Sequence, residues 1–327
     1  MMRMMIAFCL VVSLLLAALP HLLWLVCIAI SKPIGYSCRY TPFGWAAVVL
    51  VMLFLLLMGY GYFFGRWQRQ LRLLDYQNDS IPSAFSGFKI MHISDLHLGS
   101  FSGHEGQLEQ TIRAINAAQP DIVCFTGDLC TIDCREAAPF TAILKGIQAP
   151  VYAVLGNHDF FIYSRELTEQ QRLQEVEMLC RYITDSLGWH LLRNEHQVLT
   201  AADSSSITLL GVDNTRGAKQ GFRTIDCGNL QQAMADTDGF CILLTHDPSH
   251  WEAEVIPTTD IPLTLAGHTH ASQVRFFGWN PAQLMFRQSD GRYDYNGQTL
   301  NVNTGIGCTA PFRISTPQDL TLITLRN

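Results

Sequence analysis

The chemistry in this chain sits at the ends of five apolar runs: Asp95-Leu96-His97, Gly127-Asp128, Gly156-Asn157-His158-Asp159, His246-Asp247 and Gly267-His268-Thr269-His270. Apolar surroundings penalise such groups unless something satisfies them. Imidazoles, carboxylates and one amide oxygen, with no thiolate among them, suit manganese, iron or zinc and speak against a cysteine-built structural zinc knot. Eight candidate donors (Asp95, His97, Asp128, Asn157, His158, His246, His268 and His270) exceed the needs of one ion. They fit two ions sharing a carboxylate. Two ions about 3.5–4 Å apart are a recurrent device for phosphoester hydrolysis, steadying phosphoryl oxygens and acidifying a bridging water.

These residues need a scaffold that gathers them. "FKIMHISDLH", "DIVCFTGDL" and "VYAVLGNHD" each read as a buried strand running into polar residues. "GQLEQTIRAINAAQP" spaces its apolar residues as a helix and stops at Pro120, and a further helix is predicted around 136–147. Strand–helix alternation implies parallel pairing and an α/β fold. Ligand sites in such sheets gather at the carboxyl ends of the strands, so the five endings should converge. Residues 168–188 read as a long helix, followed by strand-like "WHLLRN", "HQVLT", "SITLLGVD", "FCILLTHD" and "IPLTLAGHTH". "TLNVNTGIG" and "LTLITLR" are expected to close the fold as a pair of strands. The sum predicts two facing sheets flanked by helices.

In order and spacing, the motifs resemble those of the calcineurin-like metallophosphoesterases: D-x-H, G-D, G-N-H-D/E, H and G-H-x-H. This chain has "DLH", "GD", "GNHD", "TH" and "GHTH", and the resemblance covers roughly 85–325. It implies a two-sheet αββα metallophosphoesterase sandwich and a metal-dependent hydrolase with two divalent ions, manganese favoured. The implied reaction is hydrolysis of a phosphodiester or pyrophosphate bond by a metal-bound hydroxide. Carried over by motif, Asp95, His97 and His270 hold one ion, Asn157, His246 and His268 the other, and Asp128 bridges them. His158 is implied as the group that meets the phosphate and protonates the leaving oxygen, with Asp159 orienting its imidazole. A histidine beside two dications can act as an acid only if a carboxylate offsets their field. Many members carry a second aspartate where "GDLCT" has Thr131, a departure that bears on fine geometry rather than on activity.

The remaining polar candidates read as structural. His92, His104, His190, His196 and His250 are expected to be hydrogen-bonded core or surface groups. Asp247 is expected to position His246 or end its strand, with a metal-linked role as the alternative.

Hydrophobic residues make up 48% of the chain and charged residues 15%, and the excess lies near the start. Residues 4–30 and 44–65 contain no Asp, Glu, Lys or Arg, and a spanning helix needs roughly 20 apolar residues. The first run is too long for the apolar core of a cleaved signal peptide. Pro20 is expected to kink it, which a membrane helix tolerates. Arg3 precedes the spans, Lys32 and Arg39 lie between them, and Arg66, Arg69 and Arg72 follow. This bias predicts a multi-pass inner (cytoplasmic) membrane protein with its catalytic domain facing the cytoplasm. Residues 1–80 are thus expected to form an anchor of two transmembrane helices and a juxtamembrane collar, with residues 81–327 as the catalytic domain. The collar, 66–76, should lie in the headgroup layer or extend the second helix. A net charge of −6 and no basic block beyond residue 72 argue against nucleic acid as a partner. Cys9, Cys27 and Cys38 fall in the membrane part; the other cysteines, odd in number and without metal-like pairing, fit a reducing compartment.

"NTGIGCTAPFRIS" and the closing "LTLITL" are similar to the membrane-associated bacterial branch of the family. Some of its members cleave the pyrophosphate of UDP-2,3-diacylglucosamine in lipid A biosynthesis. The implied partners are a lipid-linked nucleotide and the bilayer. Arg216 and Arg313 are candidate phosphate contacts, since a guanidinium fork matches phosphoryl oxygens, with surface salt bridges the alternative. "VRFFGWNPAQLMF", 274–286, either lines an acyl groove or packs as a hairpin. Two other readings stay open: a tethered general phosphatase or cyclic-nucleotide phosphodiesterase, and a non-catalytic membrane sensor or scaffold that keeps the metal site for stability.

Overall fold

Strands covered on both faces must be apolar throughout, whereas a half-covered strand alternates. Both patterns occur here and place the layers. The computed structural model describes residues 2–215 and 224–327. The chain divides into two compact units, 1–66 with 310–314, and 67–309 with 315–327.

The first unit is built on helices α1 (Met2–Ser31) and α2 (Thr41–Phe63), and α1 runs through Pro20. Both are long and apolar enough to cross a membrane. Leu14, Leu15, Leu53 and Leu56 stay exposed, as expected of helices whose solvent is lipid. Phe8 meets Phe54 edge-on, and Trp24 donates its Nε1–H to Cys38 O at 3.2 Å. In the 310–314 segment, the Arg313 amide donates to Gly61 O at 3.2 Å.

The second unit holds twelve strands in two six-stranded sheets. The first sheet takes β1 (Arg69–Gln77), β2 (Lys89–Ile93), β3 (Ile122–Phe125), β4 (Val151–Ala153) and β5 (His190–Leu191). The second takes β6 (Glu195–Thr200), β7 (Ser206–Gly211), β8 (Phe240–Leu244), β9 (Leu263–Ala266), β10 (Gly291–Tyr295) and β11 (Gln298–Val302). The last strand, β12 (Gln318–Arg326), returns to the first sheet. The orders are β1-β12-β2-β3-β4-β5 and β10-β11-β9-β8-β7-β6. Strands β2 to β5 run parallel, as do β7, β8, β9 and β11. Among the described residues, only β12 on β2, β6 on β7 and β10 on β11 are antiparallel.

Alternate side chains of one strand enter different cores. Met91 and Ile93 pack with helices α3 (Glu105–Ala117) and α5 (Glu169–Arg181) through Ile112, Ile115 and Leu179. Ile90 turns the other way, with Ile122 and Val154, against Ile207, Ile242 and Leu265 of the second sheet. The far face of that sheet buries Leu210, Leu243 and Leu300 under Leu230, Trp251 and Val255. The layers are therefore α, β, β, α.

Three expectations need correction. Residues 66–76 do not form a collar or a helical extension: from Arg69 they are β1, paired with β12 over nine residues. Arginines and leucines alternate there closely enough to mimic a helical stripe, but the period is two, and Arg72 pairs with Asp319 of β12. The second unit thus takes in 67–80, which were expected to lie with the anchor. The two closing runs do not pair with each other either, since β11 and β12 lie in different sheets. The helix expected around 136–147 shrinks to 3₁₀ turns and α4 (Thr141–Leu144), because Pro139 and Gly146 confine it.

Candidate metal centre

The registers Ile93↔Phe125, Phe125↔Ala153 and Leu244↔Leu265 level the strand ends from which the candidate donors follow. The loops beyond them turn sharply. Five of the seven candidate ligands, Asp95, His97, Asp128, His268 and His270, have φ between 39° and 75°. Such left-handed residues cost of order 1–3 kcal/mol each and cluster at ligand sites. Two glycines allow the close approach: a Cβ at Gly127 (φ +95°) would press on Gly156 N and His246 Nδ1, and one at Gly267 on Ser94 Oγ and Asp95 Oδ2.

Two clusters result. In one, His97 Nε2 faces His270 Nε2 at 3.1 Å, with Asp95 Oδ1 3.2 Å from His270 Nε2 and Asp128 Oδ2 3.5 Å from His97 Nε2. In the other, His246 Nε2 lies 3.0 Å from Asn157 Oδ1, 3.1 Å from His268 Nδ1 and 3.2 Å from Asp128 Oδ2. Asp128 Oδ2 belongs to both. Each aspartate spends its other oxygen on a backbone amide: Asp95 Oδ2 accepts from His268 N at 3.0 Å, and Asp128 Oδ1 from His158 N at 2.8 Å. The arrangement suits divalent cations. Two ring nitrogens 3.1 Å apart need a proton or a cation between them, and Asp95 Oδ1 is buried without a hydrogen-bond partner among the described residues. The donor types fit manganese, iron or zinc.

Burial raises a carboxyl pKa and lowers an imidazole's, but facing charges can reverse this. Against burial, His270 holds Asp95, and His246 holds Asp128, well below the usual carboxylate range. Burial dominates at His97 and His268, which stay below the ordinary imidazole value. His246 opposes burial: the Asp128 and Asp95 carboxylates push it up to about 10. A metal ion must displace that proton, so its binding strengthens as pH rises.

The surrounding contacts set tautomers. His246 Nδ1 donates to Thr126 O at 2.7 Å, so the proton that a metal ion displaces is the one on Nε2, facing the cluster. His92 is buried, and burial pushes it down to about 3, so its ring is neutral. It accepts from Asn301 Nδ2 at 2.8 Å and donates to Thr126 Oγ1 at 3.0 Å, bracing the same residue. Ile306 N and Gly307 N donate to Ser94 O and Asp95 O at 3.0 and 2.7 Å, so the "GIG" run braces the first ligand loop.

His158 is half-buried, its ring centre 4.9 Å from that of His97. Asp159 does not orient it, contrary to expectation. The fully buried Asp159 carboxylate accepts from Gly156, Asp128, Leu129 and Cys130 N–H at 2.8–3.0 Å. Burial and the neighbouring Asp128 charge still push it up to about 7. His158 Nδ1 instead donates to Thr131 O at 2.7 Å. The residue that departs from the family pattern therefore acts through its carbonyl, which no side-chain motif reveals.

Tyr163 was also missed. Its hydroxyl accepts from Asn157 Nδ2 at 2.9 Å and turns Oδ1 toward His246. Tyr163→Phe removes that acceptor and is expected to weaken metal binding by about tenfold or more. Calorimetric titration with Mn²⁺ checks this, and an unchanged affinity would mean that Asn157 is oriented by other contacts.

The remaining candidates fall elsewhere. Asp247 Oδ1 accepts from Ser249 N and Oγ, which forms a turn after His246. His104 lies tilted against Trp67, His190 stacks on Tyr152, His196 faces Ala233 O, and His250 bridges Thr245 and Glu254. Arg313 is fully buried in the 310–314 segment, which rules out a surface salt bridge. Arg216 lies outside the described residues. Residues Phe276 and Trp279 do form a hairpin, but with its rings exposed rather than packed.

Residues 88–272 match the calcineurin-like phosphoesterase family. The chain is 30% identical over 261 residues to an uncharacterized metallophosphoesterase of Bacillus subtilis, YkuE, spanning 76% of this chain and 82% of that protein. It is 28% identical over 257 residues to a transmembrane protein with metallophosphoesterase domain of Danio rerio, spanning 76% and 55%. A shorter similarity, 36% over 97 residues, relates it to the UDP-2,3-diacylglucosamine pyrophosphatase LpxG of Chlamydia trachomatis, over 28% of this chain and 29% of that one.

Proposed function

The chain belongs to the calcineurin-like phosphoesterase family, and from that premise we propose a membrane-anchored, dinuclear phosphoesterase that splits a phosphodiester or pyrophosphate bond in a lipid-linked nucleotide. One observation carries the dinuclear reading: Asp128 Oδ2 faces His97 Nε2 at 3.5 Å and His246 Nε2 at 3.2 Å, one from each cluster. Asp95, His97 and His270 would hold one ion, Asn157, His246 and His268 the other, with Asp128 between them; manganese is favoured. When bound, such ions supply a Lewis-acid clamp on phosphoryl oxygens and a water acidic enough to react near neutral pH.

The protein's own groups do the rest. With Nδ1 tied to Thr131 O, His158 has only Nε2 left to give a proton to the leaving oxygen. Asp159 holds the turns carrying Asp128 and Gly156 in register through its amide bonds. Arg216 remains a candidate for phosphate contact. The two apolar helices and the 97-residue similarity to a lipid-nucleotide pyrophosphatase support the substrate class. The positive residues flanking the spans favour an inner-membrane protein with its catalytic unit on the cytoplasmic side.

Purified chain with Mn²⁺ is expected to turn over an aryl phosphodiester and to release UMP from UDP-2,3-diacylglucosamine in detergent. Aryl turnover without UMP release would retire the lipid-linked substrate and leave a tethered general phosphatase or cyclic-nucleotide phosphodiesterase. Turnover of neither, with any of the three metals, would leave the scaffold reading.

A further inference from the structure

The segment between the His270 turn and β10 displays aromatic side chains that none of the described residues covers. Residues 276–286, "FFGWNPAQLMF", contain no charged side chain. Phe277 and Leu284 are the most exposed, at 110% and 78%, followed by Met285, Trp279 and Phe276. Scattered apolar residues on a surface need no explanation, but a contiguous set marks an interaction site.

The backbone presents this set deliberately. Phe276 and Trp279 exchange amide hydrogen bonds of 2.8 and 2.9 Å, closing a two-residue turn with Phe277 (φ +49°) and Gly278 (φ +86°) at its apex. Turns with both central residues left-handed favour Asn-Gly or Asp-Gly, and a bulky side chain at the first position is strained. A phenylalanine held there, with its ring fully exposed, gains nothing from the described residues that would offset the strain. Such outliers point to a function outside the fold.

The base beneath the turn is fixed. Arg275 pairs with Asp290, and Asn280 is fully buried against Ser289 Oγ and Asp290 Oδ1. Ala282 and Phe286 are buried, and the Phe286 ring stands edge-on to His268, 5.4 Å between centres. The exposed rings are therefore rigidly linked to a candidate metal ligand.

We propose that this loop seats in the headgroup–acyl boundary of a lipid bilayer. The occupant follows from the same chain, which carries two helices long and apolar enough to cross a bilayer. Phe, Trp, Leu and Met without charge are the side chains that settle at that boundary. The two flanking arginines are already paired, Arg275 with Asp290 and Arg287 with Glu252. The contact is therefore apolar, and anionic lipid should matter little. The proposal rests on the membrane-anchored reading above but not on any particular substrate.

The test uses the full chain in phosphatidylethanolamine nanodiscs, with and without phosphatidylglycerol. A photoreactive benzoylphenylalanine replaces Phe277, Leu284 or, as a control, the exposed Tyr295 of β10. Phospholipid adducts are expected at 277 and 284, many-fold above those at 295, with either lipid composition. Equal yields at all three positions overturn the proposal, as do adducts at 277 to a second copy or to another protein. UMP release without lipid adducts would sink this proposal alone. Adducts without UMP release would uphold it and sink only the substrate.

Discussion

An Asp128→Asn chain is expected to lose both metal ions and all measurable phosphodiester turnover while staying folded. Asparagine keeps an oxygen for the His158 amide, so the local turn survives. What disappears is the charge that both clusters share. Two unit charges about 4 Å apart are worth about 4 kcal/mol at an effective dielectric near 20, and about 1.4 kcal/mol is tenfold. Each doubly charged ion should therefore bind about a thousandfold more weakly, or worse. Elemental analysis after gel filtration, paired with an aryl phosphodiester assay, measures both effects. Two ions per chain and undiminished turnover would dismiss the shared carboxylate.

His158→Ala is expected to lower turnover by about 10²–10⁴-fold, the usual contribution of a positioned acid, with both ions retained. The loss should be steep for alkyl esters, whose leaving oxygen needs a proton, and shallow for a nitrophenyl ester, which departs without one. Loss of metal from this variant would reassign His158 to the cluster it borders with His97 and Asp128. An equal loss on both esters would remove its role as acid.

The gathering of Asp95, Asp128, Asn157, His246 and His268 was legible because parallel strands covered on both faces read as apolar runs, and the polar residue that ends each run stands out. The same rule fails at β1. Its leucines and arginines alternate on an edge strand, where one neighbour and partial exposure weaken the hydrophobic signal. The supporting contacts were hidden for a different reason. Asp159 works on four amides, Thr131 through its carbonyl, and "GIG" through its N–H groups, so main-chain chemistry does what side-chain spelling does not record. Tyr163 left no signal, since one hydroxyl on an aromatic loop residue resembles many others. The closing strands misled because adjacency in sequence usually means adjacency in a sheet, whereas β12 crosses back between β1 and β2.

That crossing has a consequence for biogenesis. Both apolar helices and β1 precede β12 in the order of synthesis, yet β12 is the strand that joins β1 to the rest of its sheet, with Arg69 pairing Gln318. At about 5–20 residues per second, the two apolar helices are made well before the first sheet can close. Chaperone demand should therefore peak after membrane insertion. A stop codon in place of Gln318, which removes β12, should yield a protein whose first sheet is split beside the Asp95 strand.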